Sequence, residues 1–167
     1  INIPMGDSVA LRAVAYYTRY GGFINARREG GAIEEDINGG ERYGGRLSFL
    51  IQPSDTVKIV PRVVWQRVVT NGFNRQELYN LYANQFNTTR PAVTFNEREQ
   101  FLLRDEQFRD NTVLADASIS LDFGGAELTS VSTYIQRDIL VSRDASALTG
   151  SVSVDLGYPA AGVLLPS

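Results

Sequence analysis

The sequence contains no cysteine and no histidine. The absence of Cys excludes disulfides, a thiolate metal site and a Cys nucleophile. The absence of His removes the commonest metal ligand and the usual general base of a Ser or Cys triad. These absences leave few ways to build a catalytic centre. We therefore expect a protein that is not an enzyme, carries no cofactor and binds no metal.

Long apolar runs and a strong excess of one charge are also missing. The 167 residues have a net charge of -3, which gives no reason to expect a nucleic-acid partner. No apolar run approaches the roughly 18 residues of a membrane-spanning helix. A strand-built membrane protein escapes that criterion, because its strands alternate apolar and polar residues.

Two-residue alternation of apolar and polar side chains is the strongest pattern in the sequence, and it predicts strands that are apolar on one face. The clearest example starts at Val113, where apolar residues alternate with Asp116, Ser118 and Ser120. In the last strand, Leu128 and Tyr134 compete with Val131 and Ile135 for the apolar face, and the pattern leaves both assignments open. The predicted strands are Val9–Tyr20, Tyr43–Gln52, Thr56–Val69, Thr112–Phe123 and Ala126–Asp138.

The connections between these strands alternate in length. The turns at Pro53–Asp55 and Gly124–Gly125 are short, whereas the segments Gly21–Arg42 and Thr70–Asn111 are long. Outer-membrane barrels have short periplasmic turns and long outer loops, and each alternating run matches the roughly 9–11 residues of a tilted spanning strand. We expect an all-β fold: an antiparallel up-and-down sheet of about five strands, part of a large transmembrane β-barrel with long extracellular loops.

The polar face of the strands carries charged residues that a barrel would point toward its lumen. They would either line the path through the lumen or simply be hydrated and paired across strands. The predicted lumen-facing residues are Arg12, Arg46, Lys58, Arg62, Asp116 and Asp122.

The long segment Thr70–Asn111 is rich in aromatic residues and arginines, which suit the capture of a bulky, partly anionic ligand. The alternative is that these side chains pack the loop on itself. Short helices are favoured by the spacing of Leu78 and Tyr82 and by the capping-box-like pair Asn96 and Glu99. The candidate ligand-binding residues are Arg75, Tyr79, Tyr82, Phe86, Arg90 and Arg98.

Several segments resemble the barrel of TonB-dependent outer-membrane receptors. Two hairpin motifs carry the resemblance, and their order and spacing are more specific than either motif alone. The first is the ERYGGRLS segment at Glu41–Ser48 followed by QPSD at Gln52–Asp55; the second is the LDFGGAELTSV segment at Leu121–Val131 followed by TYIQRD at Thr133–Asp138.

The resemblance implies a receptor of the bacterial cell outer membrane with a barrel of about 22 strands and a plugged lumen. We expect residues 1–167 to be an internal part of that barrel, without the plug domain and without the C-terminal end. The implied partners are outer-membrane lipid, the TonB complex through the missing plug, and a small-molecule ligand such as a ferric siderophore, cobalamin or an oligosaccharide. The alternatives are a passive porin-like channel and a soluble all-β ligand-binding module.

Overall fold

The computed structural model describes residues 1–78 and 94–145. The described part contains strands and no helix, and the all-β prediction is confirmed. The candidate ligand-binding residues Tyr79, Tyr82, Phe86 and Arg90 lie outside the described residues. The strands are β1 Asn2–Pro4, β2 Val9–Tyr20, β3 Asn25–Arg27, β4 Ile33–Glu34, β5 Gly40–Ser54, β6 Val57–Thr70, β7 Glu99–Phe101, β8 Gln107–Asp122 and β9 Glu127–Ser142.

Six of these strands form a sheet in the order β1-β2-β5-β6-β8-β9. All five predicted strands are present, and β2 has the predicted bounds. The sixth strand is β1, which pairs antiparallel with β2 and sets Asn2 opposite Arg12. It is too short for alternation to be recognised. β5 runs from Gly40 to Ser54 rather than from Tyr43 to Gln52, β8 begins at Gln107 rather than Thr112, and β9 continues to Ser142, so three strands are longer than predicted.

The chain divides into two compact units. The first consists of Ile1–Arg19, Glu41–Val69 and Arg109–Leu140, and it holds most of the six-stranded sheet. The second consists of Tyr20–Gly40, Thr70–Phe108 and Val141–Ser167.

Side-chain contacts identify the two faces of the six-stranded sheet. On one face the ring of Tyr43 lies 6.5 Å from that of Tyr17 and 5.6 Å from that of Trp65. On the other face the Tyr16 hydroxyl donates to Gln66 at 2.9 Å. Because residues two apart share a face, odd-numbered residues of β2, β5 and β6 lie together, as the alternation predicts.

The same reasoning settles the facing of β9. Arg137 pairs with Asp110 of β8, and the hydroxyls of Ser120 and Thr129 lie 3.3 Å apart. Odd-numbered residues of β9 therefore share the polar face with even-numbered residues of β8. This places Leu128 and Tyr134 on the apolar face.

The first unit has no hydrophobic core among its described residues. The buried hydrophobic side chains of the described chain are Ile24, Ala26, Ile37, Phe101 and Leu102, and all belong to the second unit. Large apolar side chains of the sheet remain at the surface, as in Leu47 and Ile119. The sheet is thus held by its backbone ladders and cross-strand pairs.

The second unit contains a small sheet in the order β4-β3-β7. β3 pairs parallel with β7, setting Asn25 opposite Glu99, and the core cluster of Ile24, Ala26, Ile37 and Leu102 lies here. The sequence predicts long loops at Gly21–Arg42 and Thr70–Asn111, with short helices in the second, whereas the described parts of both segments contribute short strands to this sheet. The two segments pair with each other, a long-range contact that periodicity within either segment does not reveal.

The capping-box prediction at Asn96 is half right. The Glu99 carboxylate does accept the backbone N–H of Asn96, at 2.8 Å. However, Glu99 begins β7 rather than a helix, because Gln100 and its neighbours pair with β3.

Gly44 is the tightest position of the first unit, and it generates a test of the sheet. A Cβ at Gly44 would lie 2.7 Å from the Tyr16 hydroxyl oxygen and against the backbone of Trp65. We expect Gly44→Ala to lower the free energy of unfolding by about 1–3 kcal/mol through overpacking. The measurement is urea unfolding in detergent, with Gly125→Ala as the control because open space surrounds that position. Equal effects of the two substitutions would contradict the packing of β2, β5 and β6.

Candidate functional site

The second unit holds a cavity of about 590 Å³. This volume lies within the roughly 300–1,000 Å³ typical of small-molecule sites. Two arginines, two phenylalanines and two asparagines dominate the wall. The lining residues are Asn38, Thr70, Gly72, Phe73, Asn74, Arg75, Phe108 and Arg143.

Arg75 is held in place from behind by two buried side chains. Its Nε donates to Oε1 of Gln100 at 2.9 Å, and its Nη2 donates to Oε1 of Glu106 at 2.8 Å. The side chain of Glu106 is 0% exposed, whereas that of Arg75 is 41% exposed. The guanidinium is therefore fixed at its inner edge and open at its outer edge.

Glu106 is in turn fixed by the chain around Asp144. Its Oε1 also accepts the backbone N–H of Asp144 at 3.0 Å, and Oδ2 of Asp144 accepts the backbone N–H groups of Leu103 and Arg104. The residue next to Asp144 is Arg143, so this network fixes the backbone beside both arginines of the cavity. Three buried side-chain polar atoms have no hydrogen-bond partner among the described residues, and two of them belong to this network: Oε2 of Glu106 and Nε2 of Gln100. The third is Nε of Arg67.

Arg143 lies over an aromatic ring of the wall. Its guanidinium carbon is 4.4 Å from the ring centroid of Phe73, a cation–π contact. Stacking leaves the N–H groups at the edge of the guanidinium plane available to a further partner.

Asn38 shapes the floor of the cavity. Its side-chain oxygen accepts the backbone N–H groups of Phe23 and Ile24 at 2.7 and 2.8 Å, and its Nδ2 donates to Asn74 at 2.7 Å. The side-chain oxygen of Asn74 is thereby occupied, which leaves its own N–H₂ group for another acceptor. Gly72 lies close to Ile37. A Cβ at position 72 would be only 2.8 Å from the backbone oxygen of Ile37, so a residue with a side chain would not fit without a shift.

The structure brings together only part of the predicted ligand-binding set. Arg75 lines the cavity, but Arg98 does not. Arg98 has a φ of 64°, and its backbone oxygen accepts the N–H of Asn25 at 2.9 Å. Its place in the described chain is thus at the start of the β3–β7 pairing.

The predicted lumen-facing residues share the polar face of the six-stranded sheet. Arg62 pairs with Asp116 at 2.7 Å, and the Asp116 side chain is nearly buried. Arg12 and Arg46 lie on the same face by strand alternation, since they are even-numbered neighbours of Tyr16 and Gly44. This pairing accounts for Asp116 without any acid–base role.

Most of the lining residues are absent from the predicted ligand-binding set, among them Asn38, Phe108 and Arg143. Phe108 lies before Thr112, the predicted start of this strand, in a segment without clear alternation. Asn38 and Arg143 come from parts of the chain far from Arg75 in sequence. The Asn-Gly-Gly run at Asn38–Gly40 indicates only a turn by its local sequence, and no local pattern links Arg143 to Arg75.

A second polar cluster supports the small sheet. The Arg27 side chain donates to Glu99 at 2.6 Å, and Glu99 also accepts from Asn96. These hydrogen bonds, Arg27 first, lower the pKa of Glu99 to about 2. Of the acidic run at positions 34–36, Glu34 pairs with Arg28. No group of carboxylates suited to a metal ion is found in residues 1–78 and 94–145.

Comparison of the chain with protein-family models, curated proteins and solved structures found no match.

Within the described residues, no helix is long and apolar enough to span a membrane.

The Glu99 cluster predicts a pH dependence of stability. Because its folded pKa lies below the ordinary value of 4.5, the ionised carboxylate stabilises the fold above about pH 4.5, and this contribution is lost as the pH falls toward 2. We expect Glu99→Gln to lower the urea midpoint at neutral pH and to flatten its acid dependence.

The matched control for this prediction is Glu34→Gln, since Glu34 belongs to an exposed ion pair with Arg28, a type worth about 0–1 kcal/mol. Urea unfolding followed from about pH 6 to about pH 2 compares the two variants. An unchanged acid dependence in Glu99→Gln would show that this cluster does not support the fold.

Proposed function

We propose that the chain is part of the β-barrel of a TonB-dependent outer-membrane receptor. Such a receptor takes up a scarce ligand, for example a ferric siderophore, cobalamin or an oligosaccharide. The observation that carries the proposal is the apolar face of the six-stranded sheet, which nothing in the described chain covers. In this proposal outer-membrane lipid covers it, and the opposite face with Arg12, Arg46, Arg62 and Asp116 lines the lumen.

The ends of the sheet support a larger barrel. In the described part, β1 and β9 each pair with one neighbour, and β9 is exposed along its whole length. Open sheet edges do not occur in the hydrocarbon region, because unpaired backbone groups there cost several kcal/mol each. The smallest barrels have about 8 strands. Six strands therefore need further strands of a larger barrel beside them.

The strand lengths support the same proposal. β5, β6, β8 and β9 have 15, 14, 16 and 16 residues. A tilted strand needs roughly 9–11 residues to cross the hydrocarbon. Strands of soluble proteins are usually about 5–6 residues long. The excess length suits strands that extend beyond the bilayer into outer loops.

The aromatic cluster of Tyr17, Tyr43 and Trp65 fits one interface of the membrane. The three rings lie on the apolar face, where Tyr43 contacts both Tyr17 and Trp65, and all remain partly exposed. Transmembrane barrels carry girdles of aromatic residues where the hydrocarbon meets the polar head groups. The Trp65 indole N–H donates to Asn111 at 3.0 Å, so its polar atom is satisfied within the sheet.

The TonB complex enters the proposal through the resemblance of the two hairpin motifs. It acts on the plug of such receptors, so its contact lies outside this barrel segment. A passive porin-like channel would share the lipid-facing sheet and would differ by lacking a plug. A soluble binding module is disfavoured, because it needs the apolar face of the sheet in a core.

Paired arginine substitutions on β5 test the proposal. Leu47 is on the apolar face and 43% exposed, and its neighbour Ser48 is on the polar face. In lipid, Leu47→Arg should lower stability by about 2–4 kcal/mol if the position is near the bilayer midplane, whereas Ser48→Arg should have little effect. Ile119→Arg and Ser118→Arg repeat the test on β8.

The measurement is the folded fraction after refolding into lipid vesicles over a urea series, read by heat-modifiable migration. A soluble module would fold in buffer without lipid, with Leu47→Arg again the more damaging variant because its apolar face would lie in a core, so folding that requires lipid distinguishes the two classes. Equal folding of all four variants in lipid would remove the observation on which the proposal depends.

A further inference from the structure

The cavity in the second unit is lined by hydrogen-bond donors and aromatic rings. The donors that remain available to a ligand are the N–H groups at the outer edge of Arg75, those at the edge of Arg143 and the N–H₂ group of Asn74. Of its two other polar side chains, Thr70 donates its hydroxyl to the backbone oxygen of Gly72, and Asn38 accepts from Phe23 and Ile24 and donates to Asn74. No carboxylate is among the described lining residues. A wall of donors selects a ligand that brings acceptors.

The side chains that hold Arg75 are buried with unpaired polar atoms, and support of the surrounding loop alone does not explain this destabilising arrangement. Gln100 is 0% exposed and the Glu106 side chain is fully buried, yet each keeps one polar atom without a partner in the described chain. Unpaired buried polar atoms destabilise the folded chain. An apolar anchor would hold the loop without that cost. The arrangement instead fixes a guanidinium with its open edge toward the cavity.

The charges favour an anion. Arg75 is compensated by Glu106, which lies behind it and away from the cavity wall. Arg143 makes a cation–π contact and no ion pair with any residue in the described part of the chain. Among the described residues, one positive charge therefore remains uncompensated at the wall. Arginine binds carboxylates through two parallel N–H groups, which suits a planar anionic group.

The aromatic residues and the volume define the rest of the ligand. Phe73 and Phe108 supply apolar ring surface beside the two guanidinium groups. A cavity of about 590 Å³ is far larger than an inorganic ion requires, since a water molecule occupies about 30 Å³. A planar ring stacks well on phenylalanine and on guanidinium planes.

We propose that this cavity binds organic anions that carry a carboxylate on a planar aromatic group, held by Arg75, Arg143 and the Asn74 amide. The role of this cavity as the recognition site of an uptake receptor rests on the function proposed above. The binding itself is independent of transport and of membrane insertion, so the two proposals fail separately.

The test uses 2-naphthoate as the probe and isothermal titration on the whole chain refolded in detergent. The neutral isostere 2-naphthamide has the same ring without the charge. We expect 2-naphthoate to bind, and we expect the affinity for 2-naphthamide to be lower by about tenfold or more. A tenfold difference corresponds to the loss of one charged hydrogen bond. Equal affinity for the two compounds would overturn the anion site.

Arg143→Gln is the decisive substitution, because it removes a cavity charge without breaking any ion pair of the described chain. It should weaken 2-naphthoate binding by about tenfold or more. Arg98→Gln is the matched control, since Arg98 does not line the cavity, and it should bind as the unchanged protein does. Arg75→Lys keeps the charge at the second position but loses the bidentate fork, and it should also weaken binding.

Three results would overturn the proposal. They are no binding of 2-naphthoate by the unchanged chain, equal binding by Arg143→Gln and Arg98→Gln, and displacement of the probe by equimolar inorganic phosphate, which would indicate an ion site without the aromatic component. Retained binding in a chain that fails to insert into lipid would support this proposal and contradict the receptor.

Discussion

The structure depends on one constraint: a sheet with an apolar face must have that face covered. Burial of apolar surface contributes about 25 cal/mol per Å², and a large uncovered face in water loses this term. In the first unit the apolar face of β2, β5, β6 and β8 is uncovered by any described residue, and the buried hydrophobic side chains all lie elsewhere. Backbone pairing supplies the order of the strands, and the cover must come from outside the described residues. A bilayer would meet this requirement.

The second unit follows the opposite rule. It buries a small apolar cluster around Ala26 and Leu102, and it also buries charged and amide groups such as Glu106 and Gln100. Buried charges are tolerated when they are paired and hydrogen-bonded. Here the pairing partner is Arg75, which is half exposed. The energy spent on burying the carboxylate thus orients a guanidinium at the cavity wall. This is the arrangement expected where binding, rather than stability alone, determines which residues are buried.

Most of the sheet could be predicted from the sequence because alternation is a local property. The run Val9–Tyr20 has a period of two and short turns mark the hairpins, so neither feature requires knowledge of distant residues. The pairing of β3 with β7 joins positions such as Asn25 and Glu99 that no local pattern connects. The cavity was missed for the same reason: Arg75 was recognised within an aromatic segment, but Asn38 and Arg143 become its neighbours only when three segments meet. The facing of β9 needed the pairing of Arg137 with Asp110.

The central claim is that the apolar face contacts hydrocarbon, and spin-label accessibility along β5 tests it most directly. The chain has no cysteine, so single Cys variants at Arg46, Leu47, Ser48, Phe49 and Ile51 can be labelled without background. In lipid vesicles the account predicts a period of two: high accessibility to oxygen at Leu47, Phe49 and Ile51, and high accessibility to a water-soluble nickel reagent at Arg46 and Ser48. Uniform accessibility of all five positions to the nickel reagent would contradict it.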